Sequence, residues 1–150
     1  MRAWLAAVVV AGGLILGPAA GAQPSCAPTR SDMEGPFYTP NAPRRVATGK
    51  GLVVGGVVKS AASCTPIAGA RVEWWQANPR GQYDDAHRGT LLAGERGAYR
   101  FETDSPPPYS GRPSHVHLKV FAPGHRTLTT QLYPKAGETD VTFDLVLVKE

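Results

Sequence analysis

An all-β fold, a two-sheet antiparallel β-sandwich behind an irregular N-terminal lead-in, follows from three features of this 150-residue chain. Short runs rich in Val, Trp, Phe, Tyr and Leu alternate apolar and polar residues with period two, the pattern of strands with one buried face. Gly (17) and Pro (14) punctuate these runs at short intervals without forming a low-complexity tract, as turns between strands would. No window carries a sustained helical stripe, and neither an internal repeat nor a linker divides the chain.

In chain order, Met1-Arg2 supplies a positive charge, Ala3 to Leu16 is a short apolar run, and Ala20-Gly21-Ala22 is a small-residue cleavage site. Residues 1–22 therefore read as a secretory signal, and residues 23–150 as one β-sandwich domain. Removing 22 residues from 150 leaves 128, enough for one core but not two. The apolar run is short for a bilayer span, so the expectation is an exported protein, periplasmic or secreted, with no stable membrane insertion after cleavage. Pro24 to Gly51 shows no period and forms the lead-in. Strands are predicted at Leu52–Lys59, Ala70–Gln76, Ala98–Thr103, His115–Phe121, Thr127–Tyr133 and Val141–Val148. In the second, Val72, Trp74 and Gln76 oppose Arg71, Glu73 and Trp75. In the last, Val141, Phe143, Leu145 and Leu147 share one face. In the fourth, Val116, Leu118 and Val120 bury, which leaves His115 and His117 together on the other face.

Cys26 and Cys64 would meet an oxidising compartment, where an even pair is usually bridged, the alternative being two separately buried thiols. Closing that 38-residue separation contributes about 4 kcal/mol in the chain-entropy model and would pin the lead-in to the sheet. There is no CxxC motif. The formal charge of +4 falls to +3 when Arg2 leaves with the signal, and the basic residues are scattered apart from Arg44-Arg45. Solubility accounts for that excess, and nucleic acid is not an expected partner. Oligomeric state stays open, a homo-oligomer included.

Four potential ligands stand out. Tyr83 follows Pro79-Arg80-Gly81-Gln82, Tyr109 follows three prolines, and each is placed in a loop at a strand end, where a sheet can hold it. His115 and His117 by themselves are compatible with zinc, copper or plain solvent exposure, and a loop tyrosine by itself commonly packs its ring on the sheet. Together, two imidazoles and two phenols favour a hard trivalent ion, because a phenol with a pKa of about 10 is ligated as phenolate at neutral pH only by a strong Lewis acid. Structural zinc prefers thiolate and imidazole. A two-histidine, one-carboxylate iron site would need Asp84 or Asp85, the nearest carboxylates.

Further pieces extend the pattern: Glu34-Gly35-Pro36-Phe37-Tyr38, Pro66 to Ala77 with Glu73-Trp74-Trp75-Gln76, Gly81-Gln82-Tyr83, Arg88-Gly89, Tyr99 to Thr103, Pro108-Tyr109, Arg112-Pro113-Ser114-His115-Val116-His117 and Thr129 to Tyr133. In order and spacing, from about Glu34 to Tyr133, the chain resembles the intradiol ring-cleavage dioxygenases, the family of catechol 1,2- and protocatechuate 3,4-dioxygenases. The resemblance implies non-haem Fe(III) held by Tyr83, Tyr109, His115 and His117, with Tyr109 and His117 axial and Tyr83 and His115 equatorial. It implies that Arg112 and Gln131 line the substrate pocket and that Phe37 and Tyr38 lie near its entrance. It implies cleavage of a catechol-type aromatic by O2 between the two hydroxyl-bearing carbons to a cis,cis-muconate-type diacid, with Tyr109 leaving the metal and taking a substrate proton. The long helical N-terminal portion of the catechol 1,2-dioxygenases has no counterpart here, which points to small exported members instead.

Two other readings compete. One is a non-catalytic sandwich of transthyretin-like shape that binds a phenolic ligand or a metal in the cell envelope. The other is a disulfide-stapled structural domain with incidental histidines. A retained set of four ligands plus Arg112 favours the enzyme.

Overall fold

The computed structural model describes residues 26–150. The expected signal and its cleavage point lie outside the described residues. Eight strands follow in order: β1 (Gly51–Ser60), β2 (Arg71–Ala77), β3 (Tyr83–Leu92), β4 (Ala98–Asp104), β5 (Val116–Phe121), β6 (Leu128–Leu132), β7 (Asp140–Thr142) and β8 (Leu145–Leu147). One sheet has the order β3-β2-β5-β6 and is antiparallel throughout. The other is built on β1, which pairs antiparallel with β4 and parallel with the two short strands β7 and β8. The sandwich read from the sequence is therefore present.

The core lies between the sheets. Val72 and Trp74 of β2 and Val116, Leu118 and Val120 of β5 face Leu52, Val54 and Val58 of β1 and Phe101 of β4, all essentially inaccessible. Trp74 stacks on Phe101 at 4.3 Å and joins the two layers. Its indole N–H donates to Thr48 Oγ1 at 3.0 Å, so the ring brings no unsatisfied polar group inside.

Two predicted elements need correction. Tyr83, expected in a loop, opens β3 (Tyr83–Leu92), a strand absent from the prediction because two aspartates and a glycine hide the alternation that would announce it. Pairing with β2, from Arg71↔Leu92 to Trp75↔Arg88, supplies what propensity does not. Val141–Val148, predicted as one strand, is two. Asp144 breaks it by turning its carboxylate to the Val57 amide (2.9 Å) and the Lys59 ammonium (2.5 Å), while the Phe143 carbonyl accepts from the Tyr99 hydroxyl. The apolar face survives the break, with Leu145 and Leu147 fully buried and Val141 and Phe143 packed on the core.

The lead-in crosses the outer face of the β3-β2-β5-β6 sheet as a strap. Its contacts run in strand order: the Asp32 amide to the Thr129 carbonyl on β6 (2.9 Å), Glu34 to Lys119 on β5, the Tyr38 hydroxyl to Glu73 on β2 (2.8 Å), and the Thr90 amide of β3 to the Pro43 carbonyl (2.9 Å). Cys26 and Cys64, with Cα atoms 5.2 Å apart, tie the start of the strap to the β1–β2 connection.

Candidate metal centre

Strand register assembles the site. Trp75, His117 and Gln131 are paired side by side across β2, β5 and β6 on the face under the strap. Trp75 stacks on the His117 ring at 4.8 Å and 7°. His115 and His117 point away from the core as expected, yet each is only 2% exposed, because the strap covers them. Gly35 permits that cover: it adopts φ +71°, and a Cβ there would meet His117 Cε1 at 3.4 Å.

Tyr83 opens β3, opposite Ala77 and just past a bulge in β2, which corrects its placement in a loop. Phe37 of the strap stacks on its ring at 4.3 Å. Its hydroxyl lies 3.2 Å from His115 Nε2 and 3.1 Å from His117 Nε2. The Tyr109 ring stands edge-on to Tyr83 at 5.9 Å. Tyr109 and Arg112 are held opposite each other by reciprocal backbone bonds of 3.1 and 2.9 Å across Ser110 and Gly111, both at positive φ as a primed two-residue turn requires. The four predicted ligands and Arg112 thus converge.

Arg112 is fixed at three points. Its guanidinium reaches His115 Nε2 at 3.3 Å, Gln131 Oε1 at 2.6 Å and the Tyr133 hydroxyl at 3.3 Å. Gln131 donates its amide to the Met33 carbonyl at 2.6 Å, so both its ends are engaged, and it holds Arg112 in place. Tyr133 donates to Asp32 at 2.8 Å. Tyr38 sits one layer away from the donor set: its ring packs on Trp75 at 5.0 Å and its hydroxyl goes to Glu73. Asp32 and Tyr133 escaped the sequence reading. Tyr133 shares a strand face with Gln131 at i, i+2, a signal that was available, whereas nothing local marks Asp32.

Burial keeps the two imidazoles free of protons and so available as nitrogen donors. Burial, helped by the neighbouring His115 and Arg112, lowers His117 from 6.5 to about 4. His115 is lowered too, chiefly by burial, and its Nδ1–H donates to the Pro113 carbonyl at 2.8 Å, which leaves the Nε2 lone pair facing Tyr83. Burial, with Tyr109 beside it, pushes the Tyr83 phenol up to about 12. Both Nε2 atoms and the Tyr83 oxygen meet at one point, with the Arg112 guanidinium beside His115 Nε2, so nitrogen and oxygen donors converge as a metal-binding set requires. Among the described residues no three His, Cys, Asp or Glu side chains are grouped to hold a metal. Asp84 is bound by Asn78 and His87, and Asp85 is 93% exposed beside Arg88. Among the described residues the oxygen atom that meets the two histidines is therefore that of a tyrosine. A cavity of about 490 Å³ borders Asp32, Gln131 and Tyr133 and so flanks the arginine network, not the donor set itself.

The family model described as Dioxygenase (Dioxygenase_C) matches residues 33–148, which spans the strap, both tyrosines and the histidine pair. The chain belongs to the intradiol ring-cleavage dioxygenase family. It is 34% identical over 140 residues to a chlorocatechol 1,2-dioxygenase of Cupriavidus pinatubonensis, covering 71% of this chain and 54% of that protein. It is 31% identical over 143 residues to an intradiol ring-cleavage dioxygenase of Aspergillus niger, covering 71% and 45%. The chain spans about half the length of these relatives. Among solved structures, the dioxygenase domain of a dioxygenase carbohydrate-binding protein fusion from Streptomyces sp. SirexAA-E superposes with a TM-score of 0.74 at 33% identity. It covers 83% of this chain and 100% of that one. The match spans the whole of that domain.

Proposed function

We propose that this protein is an exported intradiol dioxygenase that holds non-haem Fe(III) through Tyr83, Tyr109, His115 and His117. It cleaves a catechol-type aromatic between its hydroxyl-bearing carbons with O2, giving a cis,cis-muconate-type diacid. The observation that carries the proposal is the approach of two neutral Nε2 atoms to one phenolic oxygen, with a second phenol beside it. When bound, the ferric ion supplies Lewis acidity that makes the phenols phenolates at neutral pH and draws electron density from a coordinated diol.

The chain's own residues do the rest. Tyr83 is clamped between Phe37 and the two histidines and stays in place. Tyr109 sits on a two-residue turn at the edge of the donor set, and its phenolic oxygen is the group placed to take a proton from an arriving diol. Arg112, oriented by Gln131 and Tyr133, holds a fixed guanidinium beside the donor set, where negative charge grows on the aromatic ring. The strap keeps bulk water off His115, His117 and Trp75. The disulfide between Cys26 and Cys64 fits an oxidising compartment and anchors that strap. A passive phenol- or metal-binding sandwich would have no use for an arginine fixed at three points.

Loading the purified protein with ferric iron should give a burgundy to red tyrosinate charge-transfer band that shifts when catechol is added without oxygen. Admitting oxygen should then consume O2 and form a muconate-type absorbance. A protein that stays colourless with ferric iron would overturn the proposal.

A further inference from the structure

A second cluster of titratable groups lies beside the donor set, and no step described above uses it. His87, midway along β3, presents Nδ1 to Asp84 Oδ1 at 2.7 Å and Nε2 to Asp104 Oδ2 at 2.9 Å. Carboxylates only accept hydrogen bonds, so both contacts form together only when both ring nitrogens carry protons. The charged groups facing the ring are Asp84 and Asp104. Although burial alone would lower the imidazole, its bonds to these two carboxylates raise its pKa above 6.5.

Each carboxylate is itself fastened. Asp84 accepts from Asn78 Nδ2 at 2.8 Å and from the His87 amide at 3.0 Å, and Asn78 Oδ1 in turn accepts the amides of Arg80 and Gln82. Asp104 accepts the Lys50 amide at 3.0 Å on its side chain and Gln76 Nε2 at 2.6 Å on its carbonyl. Gly49 packs against it so closely that a Cβ would fall 2.3 Å from the Asp104 nitrogen.

The two ends of this cluster are informative. Asp84 directly follows Tyr83, and Asp104 closes β4, from which the chain runs through Ser105-Pro106-Pro107-Pro108 straight to Tyr109. The strands belong to different sheets, and the His87 ring bridges them, from the residue after Tyr83 on β3 to the end of β4 that leads on to Tyr109. We infer that His87 is a positioning residue: gripped by Asp84 and Asp104, it fastens the strand that bears Tyr83 to the segment that bears Tyr109 and sets the spacing of the two phenols. This rests on the assignment of both tyrosines as ligands. The three prolines transmit the constraint, since their fixed φ leaves the Asp104–Tyr109 segment little freedom of its own.

The test compares the full-length purified protein with His87→Ala and His87→Gln. In the metal-free protein, nuclear magnetic resonance should find the His87 ring titrating above 6.5, and the contact between the Tyr83 and Tyr109 rings should weaken in His87→Ala. With ferric iron added, His87→Ala should bind about tenfold more weakly, the usual effect of removing a group that orients ligands, and its charge-transfer band should move. His87→Gln, which keeps one donor, should fall between. A merely structural role would lower the melting temperature and leave the band of the folded, iron-loaded variant unmoved. An unmoved band together with an intact ring contact in His87→Ala overturns the inference. Should His87→Ala fail to fold, Asp104→Asn, which retains an acceptor for the Lys50 amide, answers the same question. A wild-type protein that takes no colour would refute the iron assignment, and the ring contact would then decide the clamp alone.

Discussion

The two faces of the β3-β2-β5-β6 sheet are both covered and chemically opposite, and around the histidine pair the outer face is nearly as buried as the inner. The inner face carries Val72, Trp74, Val116, Leu118 and Val120, sealed by the second sheet. The outer face carries Glu73, Trp75, His115, His117 and Gln131, sealed by the strap. A second sheet covers apolar side chains and demands nothing of them but shape. An irregular strap brings free backbone groups and polar side chains, so it can cover histidines and a glutamine without leaving all of them unpaired, as the Met33 carbonyl does for Gln131. Burial behind a strap is thus what lets one sheet serve as core on one side and as a donor platform on the other.

The neighbouring tryptophans offer the strongest way to break that contrast. Trp74→Ala empties the space against Phe101 and should cost about 3–5 kcal/mol, read as a lowered denaturation midpoint in the metal-free protein. Trp75→Ala removes the plane under His117 on the strapped side, where the lead-in can settle into the gap. It should cost less stability but weaken ferric binding more than any variant of Trp74 that still folds. Equal effects of both on stability, with no difference in metal binding, would mean the two faces are one core.

Period two is local, so the sequence made the alternation of Val116, Leu118 and Val120 with His115 and His117 legible without the fold. The four proposed ligands and Arg112 were legible as a motif set, and the structure brings them together. What stayed hidden depends on partners far along the chain: β3 becomes a strand by pairing with β2, and Asp32 matters only because Tyr133 lies 101 residues away. His87 escaped for the same reason, since its significance lies in Asp104, a residue of the other sheet. Asp84 looked like a spare carboxylate ligand because sequence proximity to Tyr83 says nothing of direction.

Acid should distinguish the faces at intermediate cost. The unfolded chain takes up a proton on His117 below about 6.5, whereas the fold admits it only below about 4, so the unfolded state binds more protons across that window. Stability of the metal-free protein is therefore full above 6.5 and falls as the pH drops toward 4. This one residue accounts for about 3 kcal/mol at the lower end, and His115 adds in the same direction. Denaturant titrations at pH 7 and pH 4.5 should show the loss, and His117→Gln should flatten it. An unchanged slope in that variant would place the acid sensitivity elsewhere, for instance in the lowered carboxyl of Asp144, which gives way at lower pH.

The smallest effects should come from the arginine network, where stability and activity separate. Gln131→Leu takes away the closest partner of Arg112 and strands the Met33 carbonyl, and it should lower kcat about tenfold, the value of one charge-assisted hydrogen bond. Tyr133→Phe leaves that bond in place and removes only the hydroxyl shared with Asp32, on a residue 42% exposed. Its effect should be about threefold on kcat, with KM and the melting temperature unchanged, because at this exposed position the partners of the lost hydroxyl regain water. If Tyr133→Phe instead matched Gln131→Leu, the guanidinium would be held from the strap through Asp32 and Tyr133 and not from β6. The strap would then be a working part of the site as well as its cover.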